Sequence, residues 1–338
     1  MTTIDALLTA TDRGLYCPEG DFYIDPWRPV DRAVITHGHS DHASSGCGAY
    51  LSSRRGVAIL RERLDPGALI QGVDYGESVS MGRVSVSLFP AGHMLGSAQV
   101  RVERGGQVWV MSGDYKTEAD GVCEPFEPLP CHTFITEATY ALPIYRWRPQ
   151  AEIFADIHRW WTENQANGFT SILFAYALGK SQRLLAGLDA GIGPILAHGA
   201  VMRFLPAYAQ SGVTLAPVQH ADADQVRASK GMALVIAPPS AAGSPWLRKF
   251  SPYSSAMVSG WMQIRGIRRR KAVDRGFVLS DHADWPGLLQ AVRLTGASRI
   301  GVTHGYTLAL MRWLNQSGER AYVVPTHFEH ELNTSAEV

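Results

Sequence analysis

Four potential metal ligands fall within six residues in His37-Gly-His39-Ser-Asp41-His42, directly after the apolar run Ala33-Val-Ile-Thr36. Imidazole nitrogens and carboxylate oxygens are the donors that Zn²⁺ and similar borderline ions prefer. A loop at a strand end can turn alternate side chains toward two centres. His37 and His39 then suit one ion, and Asp41 and His42 the other. Without a cation, so many ionisable groups at the end of a buried strand would repel one another or stay unpaired. Three further candidates follow other apolar runs, each beside a glycine: His93 in Ala91-Gly-His93, Asp114 in Gly113-Asp114 and His304 in His304-Gly305. Taken singly, each reads equally well as a hydrogen-bonded loop residue. As a set with the six-residue motif they read as ligands.

The elements that must bring these residues together are legible as strands. Short β-branched runs bounded by turn residues are Ala33–Thr36, Val84–Phe89, Val100–Glu103, Val108–Met111 and Phe134–Thr136, then Ile172–Ala175, Leu234–Ala237, Met257–Ser259, Phe277–Leu279 and Ile300–Thr303. Helical spacing predicts helices over 151–165, 181–189, 200–210, 285–294 and 307–316. Strands lead in hairpin-like succession to about residue 137, and strand–helix alternation follows. With the proline-rich Pro143–Pro149 and the basic run 265–275, this predicts a discontinuous domain of residues 1–145 and 266–338 interrupted by a second of 146–265.

Composition fits a folded α/β protein: 338 residues, 46% hydrophobic and 18% charged. No apolar run is long enough for a membrane span, and the first residues lack a secretory pattern. The four cysteines form no CxxC pair, so reduced thiols and a cytoplasmic location are expected. Zero net charge conceals an asymmetry: residues 146–275 hold 16 Lys and Arg against 7 Asp and Glu. A basic middle section, with Arg265, Arg268, Arg269, Arg270 and Lys271 clustered in it, points to an anionic partner. In the same section, Gly179-Lys180-Ser181-Gln-Arg183 opens a helix and reads either as a phosphate site or as an ordinary N-cap. Adjacent Trp160 and Trp161 cannot share one helical face, which puts one of them at the surface.

The series His37-x-His39-x-Asp41-His42, His93, Asp114 and His304 resembles the metallo-β-lactamase fold. Thr136-Glu137-Ala-Thr-Tyr140 and Ser280-Asp-His282-Ala-Asp284 resemble motifs of its β-CASP nuclease branch. That branch includes mRNA 3′-end processing endonucleases and Artemis-like nucleases, and the chain's length is similar to that of the bacterial ligase-associated DNA exonucleases. Ala141 and Tyr306 depart from the family pattern at positions not expected to be ligands.

The resemblance implies an α/β protein, an αββα sandwich with an inserted α/β β-CASP cap. It implies two divalent ions, zinc first and manganese as the alternative. One ion would take His37, His39, His93 and Asp114, and the other Asp41, His42, Asp114 and His304. It implies a DNA exonuclease of DNA repair, in which hydroxide held between the ions attacks phosphorus. Asp41, His282 and Glu137 form the catalytic group, with His282 protonating the leaving oxygen and Glu137 orienting it. Lys180, Ser181, Arg183 and Arg265 are expected to bind substrate. Nucleic acid is the implied partner, DNA ahead of RNA, with a ligase and a helicase by family association and no membrane. RNA processing is the first alternative. A small-molecule hydrolase fits poorly with Glu137, His282 and the basic insert, and a non-catalytic scaffold fits poorly with a filled ligand set.

Overall fold

Each of the ten apolar runs overlaps a strand in the structure, a computed structural model that describes residues 6–270 and 273–326. Lys271 of the basic cluster lies outside the described residues, as do the side chains of Arg268 and Arg270. The described residues divide into two compact units, one up to Pro143 together with the stretch from His282, the other Ile144–Asp281. The second crossing falls at 281/282 rather than near 266. The reason is strand Arg275–Phe277, which pairs in parallel with Tyr253–Val258 and so belongs to the sheet of the inserted unit.

The first unit has two sheets. In one, Thr9–Ala10, Leu15–Cys17 and Phe22–Ile24 form a meander, and Arg32–Val34, Ala49–Ser53 and Ile70–Val73 join in parallel. The other runs antiparallel through Ser78–Met81, Val84–Pro90, Ala98–Arg104 and Gln107–Met111. It continues in parallel through Thr133–Ala138, Arg299–Gly305 and Ala321–Val323. Hairpin succession therefore describes residues 9–24 and 78–111 but not the rest of the first sheet, whose parallel strands need crossovers. One crossover contains helix Val57–Arg63, a short helix that the strand pattern had not suggested.

Side chains alternate along these strands. Trp109 and Met111 join Val34, Leu51, Leu88 and Val100 in a core between the sheets. Val108 and Val110 point the other way, into a core with Leu288 and Leu310 of helices Trp285–Thr295 and Thr307–Gln316. Helix Val57–Arg63 covers the far face of the first sheet, where Leu60 meets Ala33, Ile35 and Tyr50. The layers are thus helix, sheet, sheet, helix. Each fully buried large side chain contributes roughly 1.5–3 kcal/mol to this stacking.

The second unit is a six-stranded parallel sheet with Thr170–Phe174 and Leu234–Ala237 at its centre. Both faces are covered, as parallel sheets require. Helix Gln150–Ala166 buries both Trp160 and Trp161, so neither is at the surface. Trp160 meets Phe277 edge-on, while the Trp161 indole N–H donates to the Met232 carbonyl at 2.9 Å. The stretch 200–210 is two helices, Gly199–Met202 and Leu205–Gln210, the second with proline in its first turn. Among the described residues no helix is long and apolar enough to cross a membrane.

Gly96 ties the loop after strand Val84–Pro90 to the first sheet. Its φ is +77°, and a Cβ there would lie 2.3 Å from the backbone of Gly56. The Ser53 hydroxyl donates to the Gly96 carbonyl at 2.6 Å and accepts from the Gly56 N–H. Gly96→Ala should therefore lower stability by about 1–3 kcal/mol, read as a reduced urea midpoint. An unchanged midpoint would show that the loops do not meet this closely.

Candidate metal centre

The ligand candidates of the first unit sit where strands end. His37 follows Arg32–Val34, His93 follows Val84–Pro90, and Asp114 follows Gln107–Met111. Glu137 and His304 lie near the ends of Thr133–Ala138 and Arg299–Gly305. The last two strands slip register where they carry these residues: Glu137 pairs with Thr303 and Ala138 with Gly305, leaving His304 as the extra residue. Such a bulge re-aims a side chain. His304 accordingly has a left-handed φ of 50°, and a Cβ on Gly305 would meet the Ala138 carbonyl at 2.4 Å.

Four donor atoms, from His37, His39, His93 and Asp114, lie within 4.8 Å of one another. His39 Nδ1 is 3.1 Å from both His37 Nε2 and His93 Nε2. Asp114 Oδ2 is 3.5 Å from His37 Nε2 and 3.8 Å from His93 Nε2. A tetrahedral ion with bonds of about 2.0–2.1 Å places its donors roughly 3.3 Å apart, so this quartet has the right span. The second set meets pairwise. His42 Nε2 is 3.4 Å from Asp114 Oδ2 and 3.5 Å from Asp41 Oδ2, and the His42 and His304 rings stack at 5.3 Å. Asp114 is common to both sets.

A residue the sequence did not single out, Asp25, orients this loop. Its buried carboxylate accepts from His42 Nδ1 at 2.7 Å, from the Thr36 hydroxyl at 2.6 Å and from the Thr36 N–H at 2.8 Å. With its hydrogen given to Asp25, the Thr36 oxygen accepts from His37 Nδ1 at 3.0 Å. His37 and His42 thus both have Nδ1 occupied and turn Nε2 toward Asp114. A carboxylate behind a ligating imidazole fixes its tautomer and raises its basicity. Asp25 has a left-handed φ of 44°, tolerated by Asp better than by most residues. No periodicity marks it, since it lies just beyond strand Phe22–Ile24.

Electrostatics set two neighbouring imidazoles apart. Burial, reinforced by His42, holds His37 well below the ordinary histidine range. Burial also opposes charge on His42, yet Asp114, Asp41 and Asp25 outweigh it and raise that group well above the range. Burial would raise Asp114, but His42 and His282 hold its carboxyl well below the usual range. The field therefore favours positive charge at His42 Nε2, a buried atom that faces Asp114 and makes no hydrogen bond among the described residues. Lone-pair nitrogens, an ionised carboxylate and a field that draws positive charge together fit divalent cations.

Beside the quartet, His282 Nδ1 lies 2.9 Å from both oxygens of Glu137. Glu137 is 1% exposed and also accepts from the Tyr115 N–H at 2.9 Å. The His282 side chain is 19% exposed, with the His93 ring 4.7 Å away. An imidazole whose Nδ1 faces a buried carboxylate can hold a proton at Nε2. Asp114, Glu137 and His282 also cluster within 4.8 Å.

The expected substrate residues belong to the second unit. Lys180 is 3% exposed and its Nζ donates to Asp281 at 2.7 Å. Arg183, 4% exposed, bonds Asp281, the Ser280 carbonyl and Gln150. The Ser181 hydroxyl donates to the Tyr176 carbonyl at 2.6 Å. A buried carboxylate has drawn both cations inward, so this motif presents no phosphate grip at the surface. Arg265, at the start of helix Arg265–Arg270, is exposed.

No protein-family model matches the chain. A probable DNA ligase from Opitutus terrae is 31% identical over 321 residues, 94% of this chain but 31% of that protein. Endoribonuclease YSH1 from Candida glabrata is 30% identical over 124 residues, 36% of this chain and 16% of that protein. The Saccharomyces cerevisiae YSH1 is 29% identical over 167 residues, 48% and 20% respectively. The chain thus spans a third or less of these relatives. A crystal structure of a protein of unknown function from Enterococcus faecalis V583 shares the fold, with TM-score 0.60 at 11% identity over 88% of this chain and 80% of that one.

If Asp25 orients His42 and, through Thr36, His37, Asp25→Asn should weaken divalent-metal affinity by about 10–100-fold. Competition against a chromogenic chelator reads this. Unchanged affinity in a folded variant would remove Asp25 from the centre.

Proposed function

We infer the function of this chain from its kinship with the β-CASP nucleases of the metallo-β-lactamase fold and with ligase-associated proteins. We propose that it is a divalent-metal phosphodiesterase that shortens DNA. The first unit is read as the metallo-β-lactamase domain and Ile144–Asp281 as the β-CASP cap. The observation that carries this reading is the convergence of His37, His39, His93 and Asp114 next to the His282–Glu137 pair.

His37, His39, His93 and Asp114 would hold one ion, and Asp41, His42, Asp114 and His304 the other, with zinc favoured by the imidazole-rich set. Two such ions supply an activated water and neutralise the phosphate oxygens. The chain's own residues do the rest. Asp114 holds the two sets together through one carboxylate. Glu137 orients His282, whose Nε2 gives a proton to the departing sugar oxygen. Exposed Arg265 and Arg269 offer cations to the phosphate backbone.

DNA is favoured by the name of the relative that matches 94% of the chain, and an exonuclease in DNA repair by the resemblance to ligase-associated exonucleases. The endoribonuclease relatives support RNA as the second reading. A ligase partner follows from the first relative alone.

The test uses end-labelled DNA and RNA of one sequence, together with bis(p-nitrophenyl) phosphate, whose leaving group needs no proton. The parent should degrade DNA faster than RNA, with a ladder starting at one end. His282→Ala should keep its metal and lose about 10²–10⁴-fold in rate on DNA, with a much smaller loss on the nitrophenyl ester. His304→Ala should lower metal content and slow both substrates. Metal loss or an equal defect on both substrates in His282→Ala would make that residue a ligand. Faster cleavage of RNA would favour the second reading.

A further inference from the structure

In the sheet of the second unit, two neighbouring strands send the chain to opposite faces at their carboxyl ends. Strands Ile195–Ala197 and Leu234–Ala237 lie side by side and run in parallel. After the first, the chain turns to the face holding Leu184 and Val201, through helix Gly199–Met202. After the second, it turns to the opposite face, holding Ala241 and Leu247. Strand Gln219–His220, on the other flank of Ile195–Ala197, also exits to that opposite face, toward Val226. Two adjacent strands whose exits part to opposite faces leave a gap at their carboxyl ends, the place where open α/β sheets take ligands.

Basic and aromatic side chains gather at these strand ends. His198 follows the first strand, and its ring meets Trp246 edge-on at 4.9 Å. The Lys249 ammonium sits 4.7 Å from the Trp246 ring centroid and donates to the Ala221 carbonyl at 2.5 Å, which fixes it at the strand end. His220 ends the neighbouring strand, with Nε2 close above Gly199. His198 Nδ1 accepts from the Ala200 N–H at 3.1 Å, so its Nε2 is the nitrogen free to carry a hydrogen. His220 and Lys249 are exposed, and His198 and Trp246 half-buried. Burial, then Lys249 and His220, depress His198 below its ordinary range. Asp222 is the carboxylate that acts on Lys249. Its oxygen caps helix Ala223–Ala228 by accepting from Asp224 and Gln225.

We propose that this cluster binds a nucleotide unit, its phosphate held by Lys249 and His220 and its base set against Trp246 and His198. Crowded basic groups beside one carboxylate favour an anion, and an aromatic edge next to a cation suits a base attached to a phosphate. The inference rests on nucleic acid being the substrate and gives that substrate a contact outside the metal centre. A free nucleoside monophosphate has the same chemistry.

The test is fluorescence anisotropy of a labelled twelve-residue oligodeoxythymidylate with the full chain in EDTA, with thymidine 5′-monophosphate as competitor. Lys249→Gln with His220→Gln should weaken binding about five- to tenfold and flatten the salt dependence by up to about 0.7 in slope per lost contact. Asp222→Asn keeps a capping oxygen and removes a charge, so it should tighten binding several-fold, a gain that general damage to the unit would not produce. Competition by the monophosphate would place a single nucleotide at these strand ends, and binding without competition would place a polynucleotide there. Unchanged affinity in the double variant, or no gain in Asp222→Asn, overturns the proposal. Hydrolysis of bis(p-nitrophenyl) phosphate should be the same in all these variants. A parent unable to hydrolyse it points to failure of the nuclease reading, whereas a hydrolysing parent with unaffected binding points to failure of the strand-end site.

Discussion

The carboxylate of Asp114 is the group around which the first unit is arranged. It is buried, ionised and within 4 Å of nitrogens from His37, His42 and His93. Burying one charge among several imidazoles is costly unless the cluster settles its charge. Protons settle it poorly, because burial and mutual repulsion disfavour them on His37 while the surrounding carboxylates demand one at His42. A divalent cation satisfies both tendencies, since it binds neutral nitrogens and answers the negative field.

The fold meets this demand by placing strand ends together. Strands Gln107–Met111, Thr133–Ala138 and Arg299–Gly305 are parallel neighbours, so Asp114, Glu137 and His304 emerge at one edge. The Ala98 N–H donates to the Thr36 carbonyl at 2.8 Å, joining the histidine loop of the other sheet to that edge. Asp25 then fixes the loop by tying Thr36 and His42 to one carboxylate. A bulge aims His304, and the Gly96–Gly56 contact fixes the loop that bears His93. Each device trades local strain or a buried charge for the position of a donor atom.

Much of this centre is legible in the sequence because ligand chemistry restricts residue type. His and Asp crowded at the ends of apolar runs have few other uses. Strand positions were legible because short β-branched apolar runs are bounded by turn residues. Asp25 was not, since its role depends on Thr36 and His42, contacts that exist only after folding. Lys180 and Arg183 show the opposite case: their types suit a phosphate, but Asp281, about a hundred residues later in the chain, takes them inward. The unit boundary was misplaced because pairing of Arg275–Phe277 leaves no mark in composition.

The most direct measurement of the central claim is a calorimetric titration of chelator-treated protein with Zn²⁺ or Mn²⁺, alongside Asp114→Asn. Two ions per chain should bind the parent, with proton release as ligands give up protons to the metal. Asp114→Asn should lose affinity at both sites while keeping the parent's circular dichroism. A parent that binds fewer than two ions, or a variant that binds two as tightly as the parent, would contradict a centre built around this carboxylate.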